Sequence, residues 1–275
     1  MDSLRELRRE ANLDNRYGRQ VLDTIVICSD QQARYDDRVT GEAFYSFLSD
    51  FRPTLLVNNG DLFDFESLGT FRKTLVERAS LMEDVRAGLD ILMREAGASP
   101  RSRIILIEGN HEERLTRYLL DNAEALSTVP GLQVSEFLDL EDLGVEYVGP
   151  YGKGIDWHGV EIYHGALVRS DSAYTAKAEF LQTGTSGVSG HTHRLGAYYK
   201  SDGAGPHAWY EGGCLCNVVG ENVPPDARGP RVRNAQQGFL YGYATSDIWN
   251  LYQVHITNHQ FIVEGKLYAP RGYIL

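Results

Sequence analysis

Three short, nearly uninterrupted apolar runs punctuate the first third of the chain: residues 24–28 (TIVIC), 54–57 (TLLV) and 104–107 (IILI). They are rich in β-branched residues and do not alternate with polar ones, which suits central strands covered on both faces. Between them the spacing turns helical. Residues 41–51 place Ala43, Phe44, Phe47 and Leu48 on one face. Residues 70–96 place Leu75, Leu81, Met82, Val85, Leu89, Leu92 and Met93 on one stripe, with charges elsewhere and Gly97 and Pro100 closing the helix. From 112 to 147 the pattern is helical and polar, mainly at 114–125 and 136–143, and predicts an excursion over the mouth of whatever site the strands form. Residues 160–163 and 187–189 are again strand-like. After Pro224-Pro225, residues 239–244, 251–256 and 260–268 alternate as antiparallel strands, with a turn at Thr257-Asn258-His259. The reading is one α/β domain over 21–275, with helical insertions near 66–100 and 112–147, preceded by a polar helical arm over 1–20.

Five segments place metal-seeking side chains directly after apolar runs. They are Ser29-Asp30-Gln31-Gln32, Gly60-Asp61-Leu62-Phe63-Asp64, Gly109-Asn110-His111-Glu112, Tyr163-His164-Gly165 and Gly190-His191-Thr192-His193. Strand ends of this kind are where α/β sheets gather their ligand sites. The carboxylates of Asp30 and Asp61 suit hard cations, with Asp61 the natural bridge between two ions. Gln32 and Asn110 offer neutral carbonyl oxygens. The imidazoles of His164, His191 and His193 suit Mn, Fe, Ni or Zn better than Mg. His111, beside Asn110 and oriented by Asp64, has the chemistry of a general acid for a leaving oxygen. Taken singly, each segment is also an ordinary turn, helix cap or hydrogen-bonded core histidine. Taken in order, the five would hold two divalent cations side by side, an arrangement that breaks phosphate esters.

Composition narrows the field. Thirty-eight acidic against 27 basic residues leave a formal charge of −11, which disfavours a protein that coats nucleic acid through phosphate neutralisation. Part of that excess is the ligand carboxylates, which bound ions would neutralise. Three cysteines do not make a disulfide framework and fit a reducing compartment. Cys214 and Cys216 read as buried thiols sharing a strand face. No apolar run approaches the roughly 20 residues of a membrane span, and the N-terminus lacks an apolar signal core, so a cytoplasmic location without a membrane partner is expected.

The ordered set resembles the calcineurin-like metallophosphoesterase superfamily, whose pattern is D-x-H, G-D-x-x-D, G-N-H-[DE], H and G-H-x-H. The later stretches Glu211-Gly212-Gly213-Cys214-Leu215-Cys216 and Asn234-Ala235-Gln236-Gln237-Gly238-Phe239 resemble a phage-encoded branch, which would place the chain in a host cytoplasm. The resemblance implies a four-layer αββα sandwich of two mixed β-sheets flanked by helices. It assigns Asp30 and His193 to a first metal, Asp61 to both, and Asn110, His164 and His191 to a second. His111 and Asp64 become the acid pair, and Asn110 and His111 face the phosphate; Arg114 or Arg117 is the further candidate to clamp it.

Two departures matter. Gln32 stands where the family has His, and Phe65 stands where the phosphoprotein phosphatase branch has Arg. The implied cofactors are two divalent ions, Mn²⁺ first, with Fe, Ni or Zn as alternatives. The implied activity is phosphate-ester hydrolysis by a metal-bridging hydroxide. The missing Arg at Phe65 inclines it towards a phosphodiester from nucleic acid or a nucleotide. Asp64, where the DNA-repair nuclease branch has His, gives that particular branch no support. The other readings are a phosphomonoesterase acting on phosphoprotein or nucleotide, and a catalytically weak metal-binding scaffold, which Gln32 alone favours.

Overall fold

A strand buried on both faces must send successive side chains into two different cores, and the first apolar run does so. The computed structural model describes residues 21–69, 80–220, 222–224 and 234–272. In β1 (Asp23–Cys28), Ile25 and Ile27 join one apolar cluster while Val26 and Cys28 join another. Helix α1 (Arg38–Phe51), strand β2 (Leu55–Asn58), helix α2 (Leu81–Ala98) and strand β3 (Arg103–Ile107) follow as two crossovers that keep β1, β2 and β3 parallel. Helices α3 (Glu113–Asn122) and α4 (Val134–Phe137) lead to strand β4 (Val145–Val148), parallel to β3.

A second sheet begins with β5 (Gly154–Trp157) and β6 (Val160–Tyr163). It continues through helix α5 (Tyr174–Thr183) into β7 (Ser186–Ser189), β8 (Leu195–Asp202) and β9 (Gly205–Gly212). The chain then returns to the first sheet with β10 (Gly238–Ala244) and β11 (Trp249–His255), and ends in the hairpin β12 (Phe261–Val263) and β13 (Lys266–Tyr268). The two large sheets have the strand orders β11-β10-β1-β2-β3-β4 and β5-β6-β7-β9-β8, and both mix parallel and antiparallel pairs.

Packing follows from the alternation. Ile25, Ile27, Leu55, Val57, Ile105 and Ile107 meet Trp157, Val160, Ile162, Val188 and Tyr210 of the other sheet. The intervening Val26, Leu56, Ile104 and Leu106 meet Phe44, Phe47, Leu48, Ile91 and Leu92 of α1 and α2. On the far side, Ala176 and Phe180 of α5 cover Trp209. The layers are therefore helix, sheet, sheet, helix, the expected αββα sandwich. Its consequence is directional: β1, β2, β3, β6 and β7 all deliver their C-terminal turns to one edge.

Several local expectations changed. Residues 145–147, the end of the stretch read as mostly helical, belong with Val148 to β4, because Val145 completes the apolar row beside Ile104. The run 260–268 is split at Glu264 and Gly265, whose φ of 52° and 77° reverse the chain. The turn at Asn258 and His259 lies where the pattern put it, with φ of 51° and 61°. Helix α1 begins at Arg38 because the Asp37 side chain caps the Thr40 N–H. Helix α2 begins after Ser80, which forms a capping box with Glu83. Residues 70–79 of the expected longer helix, and the arm over 1–20, lie outside the described residues. No helix among the described residues is long and apolar enough to cross a membrane.

Phe47 sits at the junction of α1, β10 and the terminal hairpin, fully buried, with ring centroids 5.1 Å from Phe239 and 5.4 Å from Tyr268. Phe47→Ala is expected to cost about 3–5 kcal/mol in urea unfolding. A loss below about 1 kcal/mol would mean that these aromatic contacts do not form.

Candidate metal centre

The turns that leave these strands are sharply bent. Asp30, Gln32, Asp61, His191 and His193 all have left-handed backbones, with φ of 52°, 45°, 54°, 68° and 55°. Such a conformation costs a non-glycine residue about 1–2 kcal/mol, and clusters of it mark sites where surrounding bonds dictate geometry. The bonds here are explicit. The Asp30, Gln32 and Ala33 N–H groups donate to the carbonyls of Gly60, Asp61 and Leu62 at 3.0, 2.9 and 2.7 Å, lacing the first turn onto the second. Gly190 N–H donates to His164 O at 2.8 Å, tying the fourth turn to the fifth. Glu112, fully buried, accepts from the N–H groups of Asp61, Phe63 and Gly109 at 2.9, 2.8 and 2.9 Å, which welds the second turn to the third.

The side chains these turns carry converge. His193 Nε2 lies 3.2 Å from Asp30 Oδ1, while Asp30 Oδ2 accepts from Ser29 Oγ and the His191 N–H. His164 Nε2 lies 3.1 Å from Asp61 Oδ2 and 3.2 Å from Asn110 Oδ1. The ligating atoms of Asp61, His164 and His191 fall within 4.8 Å of one another. His164 Nδ1 donates to Asn59 O at 2.7 Å, so Nε2 is the ring nitrogen aimed at the cluster. Gln32 is fully buried at the same edge, and neither atom of its side-chain amide has a hydrogen-bond partner among the described residues. An amide left in that state costs about 1–3 kcal/mol per group, so a ligand for the oxygen would relieve a real penalty.

His111 forms the third part. Its Nδ1 is 2.6 Å from Asp64 Oδ1 and its Nε2 is 3.6 Å from Asp61 Oδ2. The Arg114 guanidinium donates to that same Nε2 at 2.9 Å and to Asp64 O at 2.7 Å. The backbone N–H of His111 donates to Asp61 Oδ1 at 2.9 Å. Asp30, Gln32, Asp61, Asp64, Asn110, His111, Arg114, His164, His191 and His193 thus share one edge of the sandwich. Arg117, one helical turn further along α3, is exposed and paired with Glu113 instead.

The electrostatics reflect crowding in a dry site. Burial opposes charge on Asp61, but the His111 and His164 rings overcome it and hold the carboxyl below the usual carboxylate range. Burial likewise disfavours charged His164, and the adjacent Asp61 carboxylate reverses the effect, raising it to about 9. Burial, aided by Asp61, lifts Glu112 to about 7. Carboxylates and imidazoles here act as each other's counter-charges, the role a cation would take over.

The motif reading assigned no work to Glu112, Asn59 or Cys216, and the structure does. Cys214 and Cys216 are buried thiols, as expected, but Cys216 Sγ lies 3.9 Å from His193 Nδ1, on the ring edge that faces away from Asp30. The legible signal for Glu112 was its place as the last letter of G-N-H-E.

The chain has relatives among known proteins. The Gene 54 protein of Mycobacterium phage L5 is 31% identical over 180 residues, covering 62% of this chain and 69% of its own. The Gene 54 protein of Mycobacterium phage D29 is 30% identical over 194 residues, covering 69% and 73%. Among solved structures, Vacuolar Protein Sorting 29 from Cryptosporidium parvum aligns with a TM-score of 0.47 at 12% identity, over 91% of this chain and 100% of that one. The E. coli phosphoesterase Yfce aligns with a TM-score of 0.35 at 14% identity, over 85% and 100%. The calcineurin-like phosphoesterase model matches residues 24–195, which hold all five of these turns, and the chain belongs to that family.

Proposed function

We propose that this chain hydrolyses phosphate esters with a pair of divalent ions seated at the sheet edge. The observation that carries the reading is the convergence of buried ligating groups from five turns, the first of which also carries the buried, unpaired Gln32 amide. Asp30, Gln32 and His193 would hold one ion, Asn110, His164 and His191 the other, and Asp61 both. The donors are two carboxylates, three imidazoles and two amide oxygens, a mixture that suits Mn²⁺, with Fe, Ni or Zn as alternatives. Bound there, the ions would supply Lewis-acid charge for phosphoryl oxygens and would lower the pKa of water enough for hydroxide to attack near neutral pH.

The chain's own residues do the rest. His111, once its ring is protonated, would donate the Nε2 proton to the leaving oxygen, with Asp64 at Nδ1 fixing the ring and stabilising its charged form. Arg114, which donates to the unprotonated Nε2 in the absence of that proton, would turn to the phosphate and neutralise its charge. Two glycines make the centre possible. A Cβ at Gly109 would stand 2.2 Å from Asp61 Oδ1, and one at Gly190 would stand 2.0 Å from Ser29 Oγ.

A phosphodiester drawn from nucleic acid or a nucleotide is the favoured substrate. Phe65 is fully buried, in a left-handed turn, with its ring 5.6 Å from that of Phe63, so the position has no cation to offer a dianion. The phosphomonoesterase reading draws its support from Arg114 beside His111, a second place from which to meet a dianion. The ratio of kcat/KM for bis-p-nitrophenyl phosphate to that for p-nitrophenyl phosphate separates the two.

With Mn²⁺ the purified protein is expected to hydrolyse bis-p-nitrophenyl phosphate, to stop on chelation and to resume on Mn²⁺ addition. Failure at every metal tried would leave the scaffold reading. His111→Ala should lower kcat by roughly 10²–10⁴ while two Mn²⁺ per chain remain by metal analysis; unchanged turnover removes His111 from the reaction. Gly109→Ala should weaken Mn²⁺ binding by about tenfold or more in calorimetric titration, the scale seen when ligand orientation is disturbed. Parent-like affinity there would show that Asp61 does not need its present position.

A further inference from the structure

Behind the turn that carries Asp30 and Gln32, a polar cluster is sealed inside the apolar layer between the first sheet and α2. Glu95 and Cys28 are fully buried, and Gln31 and Asn58 are 4% and 1% exposed. Gln31 Nε2 donates to Glu95 Oε1 at 2.8 Å and to Asn58 Oδ1 at 2.7 Å. Asn58 Nδ2 donates to Glu95 Oε2 at 2.7 Å, and Cys28 Sγ lies 3.2 Å from Asn58 Oδ1. No cationic side chain among the described residues pairs with Glu95. Burial pushes its carboxyl up to about 7, against the pull of these hydrogen bonds. A carboxyl buried without a counter-charge is costly, and an apolar side chain would fill the helix face without that cost.

What the carboxyl does is orient two amides. Gln31 lies between Asp30 and Gln32, both left-handed, and Asn58 ends β2 just ahead of Gly60-Asp61. One side chain on α2 thereby holds the turns on both sides of the proposed first ion. We propose that Glu95 is a positioning residue of the centre: through Gln31 and Asn58 it fixes the Asp30–Gln32 turn in the conformation that addresses the first ion. This rests on the two-metal reading above.

The test uses Glu95→Gln, which keeps the shape but turns one acceptor into a donor, and the swap variant that combines Glu95→Gln with Asn58→Asp. In the swap, both oxygens of the carboxylate introduced on β2 accept, one of them from the amide introduced on α2, and Gln31 keeps both its acceptors. Calorimetric titration with Mn²⁺ should show one of the two sites in Glu95→Gln weakened by about tenfold or more, the other within about twofold of the parent, and kcat/KM reduced. The swap should recover both. A merely structural role would lower the thermal midpoint without separating the two sites, and that result overturns the proposal. So does a swap variant that folds but binds like the single variant. If Glu95→Gln does not fold, a folded swap variant with two parent-like sites carries the proposal, and one without them overturns it.

The metal-free readout is the crystal structure of whichever variant folds. In Glu95→Gln, or in Glu95→Leu as an apolar replacement, Asp30 and Gln32 should leave their φ of 52° and 45° and the Asp30–His193 contact of 3.2 Å should open. An unchanged turn overturns the proposal. Should the parent itself bind no Mn²⁺, the two-metal reading fails, and the crystal structure still judges whether Glu95 holds the turn.

Discussion

Backbone turns that would not persist on their own are held from beneath by buried carboxylates, and the site depends on that restraint. Each of the five turns meets a buried glutamate, and only the third turn supplies its own. Glu95 of α2 grips Gln31 and Asn58 beneath the first turn. Glu112 gathers three backbone N–H groups from the second and third turns. Glu179 of α5 accepts from Tyr163 Oη beside the His164 turn. Glu211 of β9 accepts from Thr192 Oγ1 inside the last one and from the Ala173 N–H. All four are 1% exposed or less. A carboxyl group accepts from several donors at once, which is what a left-handed residue opposing its own sterics requires.

The same carboxylates shape the field. Asp30, Asp61 and Asp64 line the centre and the four glutamates stand behind it, so the interior carries a concentrated negative charge at one edge. In a folded chain without cations, this charge is balanced by raised glutamates and by imidazoles that hold protons, as at His164. Divalent ions would replace those protons. Part of the net charge of −11 is therefore internal and concerns the site, not solubility or a surface partner.

Legibility in the sequence followed burial. The runs over 24–28, 54–57 and 104–107 were readable because both faces of those strands are covered, which forbids polar alternation. The β8–β9 hairpin was not readable. β8 is an edge strand with exposed residues such as Tyr199, and its pattern has neither a strand's nor a helix's period. The candidate ligands were readable because each segment directly follows an apolar strand, four of the five with an adjacent glycine. Their supports were not, because a residue such as Glu95 acts across 64 positions on Gln31 through a side-chain amide. Its one local trace was a charge at the position three after Leu92, on the apolar stripe of an amphipathic helix.

Gln32 changes the character of the centre more than its affinity alone suggests. On the proposed assignment, the first ion meets oxygen from Asp30, Gln32 and Asp61 and a single imidazole, His193, whose far edge rests on Cys216. The second meets two imidazoles, His164 and His191, with oxygen from Asp61 and Asn110. An imidazole at position 32 would have made the two sites alike in nitrogen content; the amide makes the first one harder. Hard, oxygen-rich sites retain Mn²⁺ and discriminate less in favour of Zn²⁺ or Ni²⁺, whereas the nitrogen-rich one keeps borderline ions. On that assignment the amide also brings no charge, so the attraction for the first cation would fall to Asp30 and Asp61, whose turns meet Glu95 and Glu112 through hydrogen bonds. Substituting a neutral ligand thus moves the burden of metal binding from the ligand itself to the buried carboxylates that hold its neighbours still.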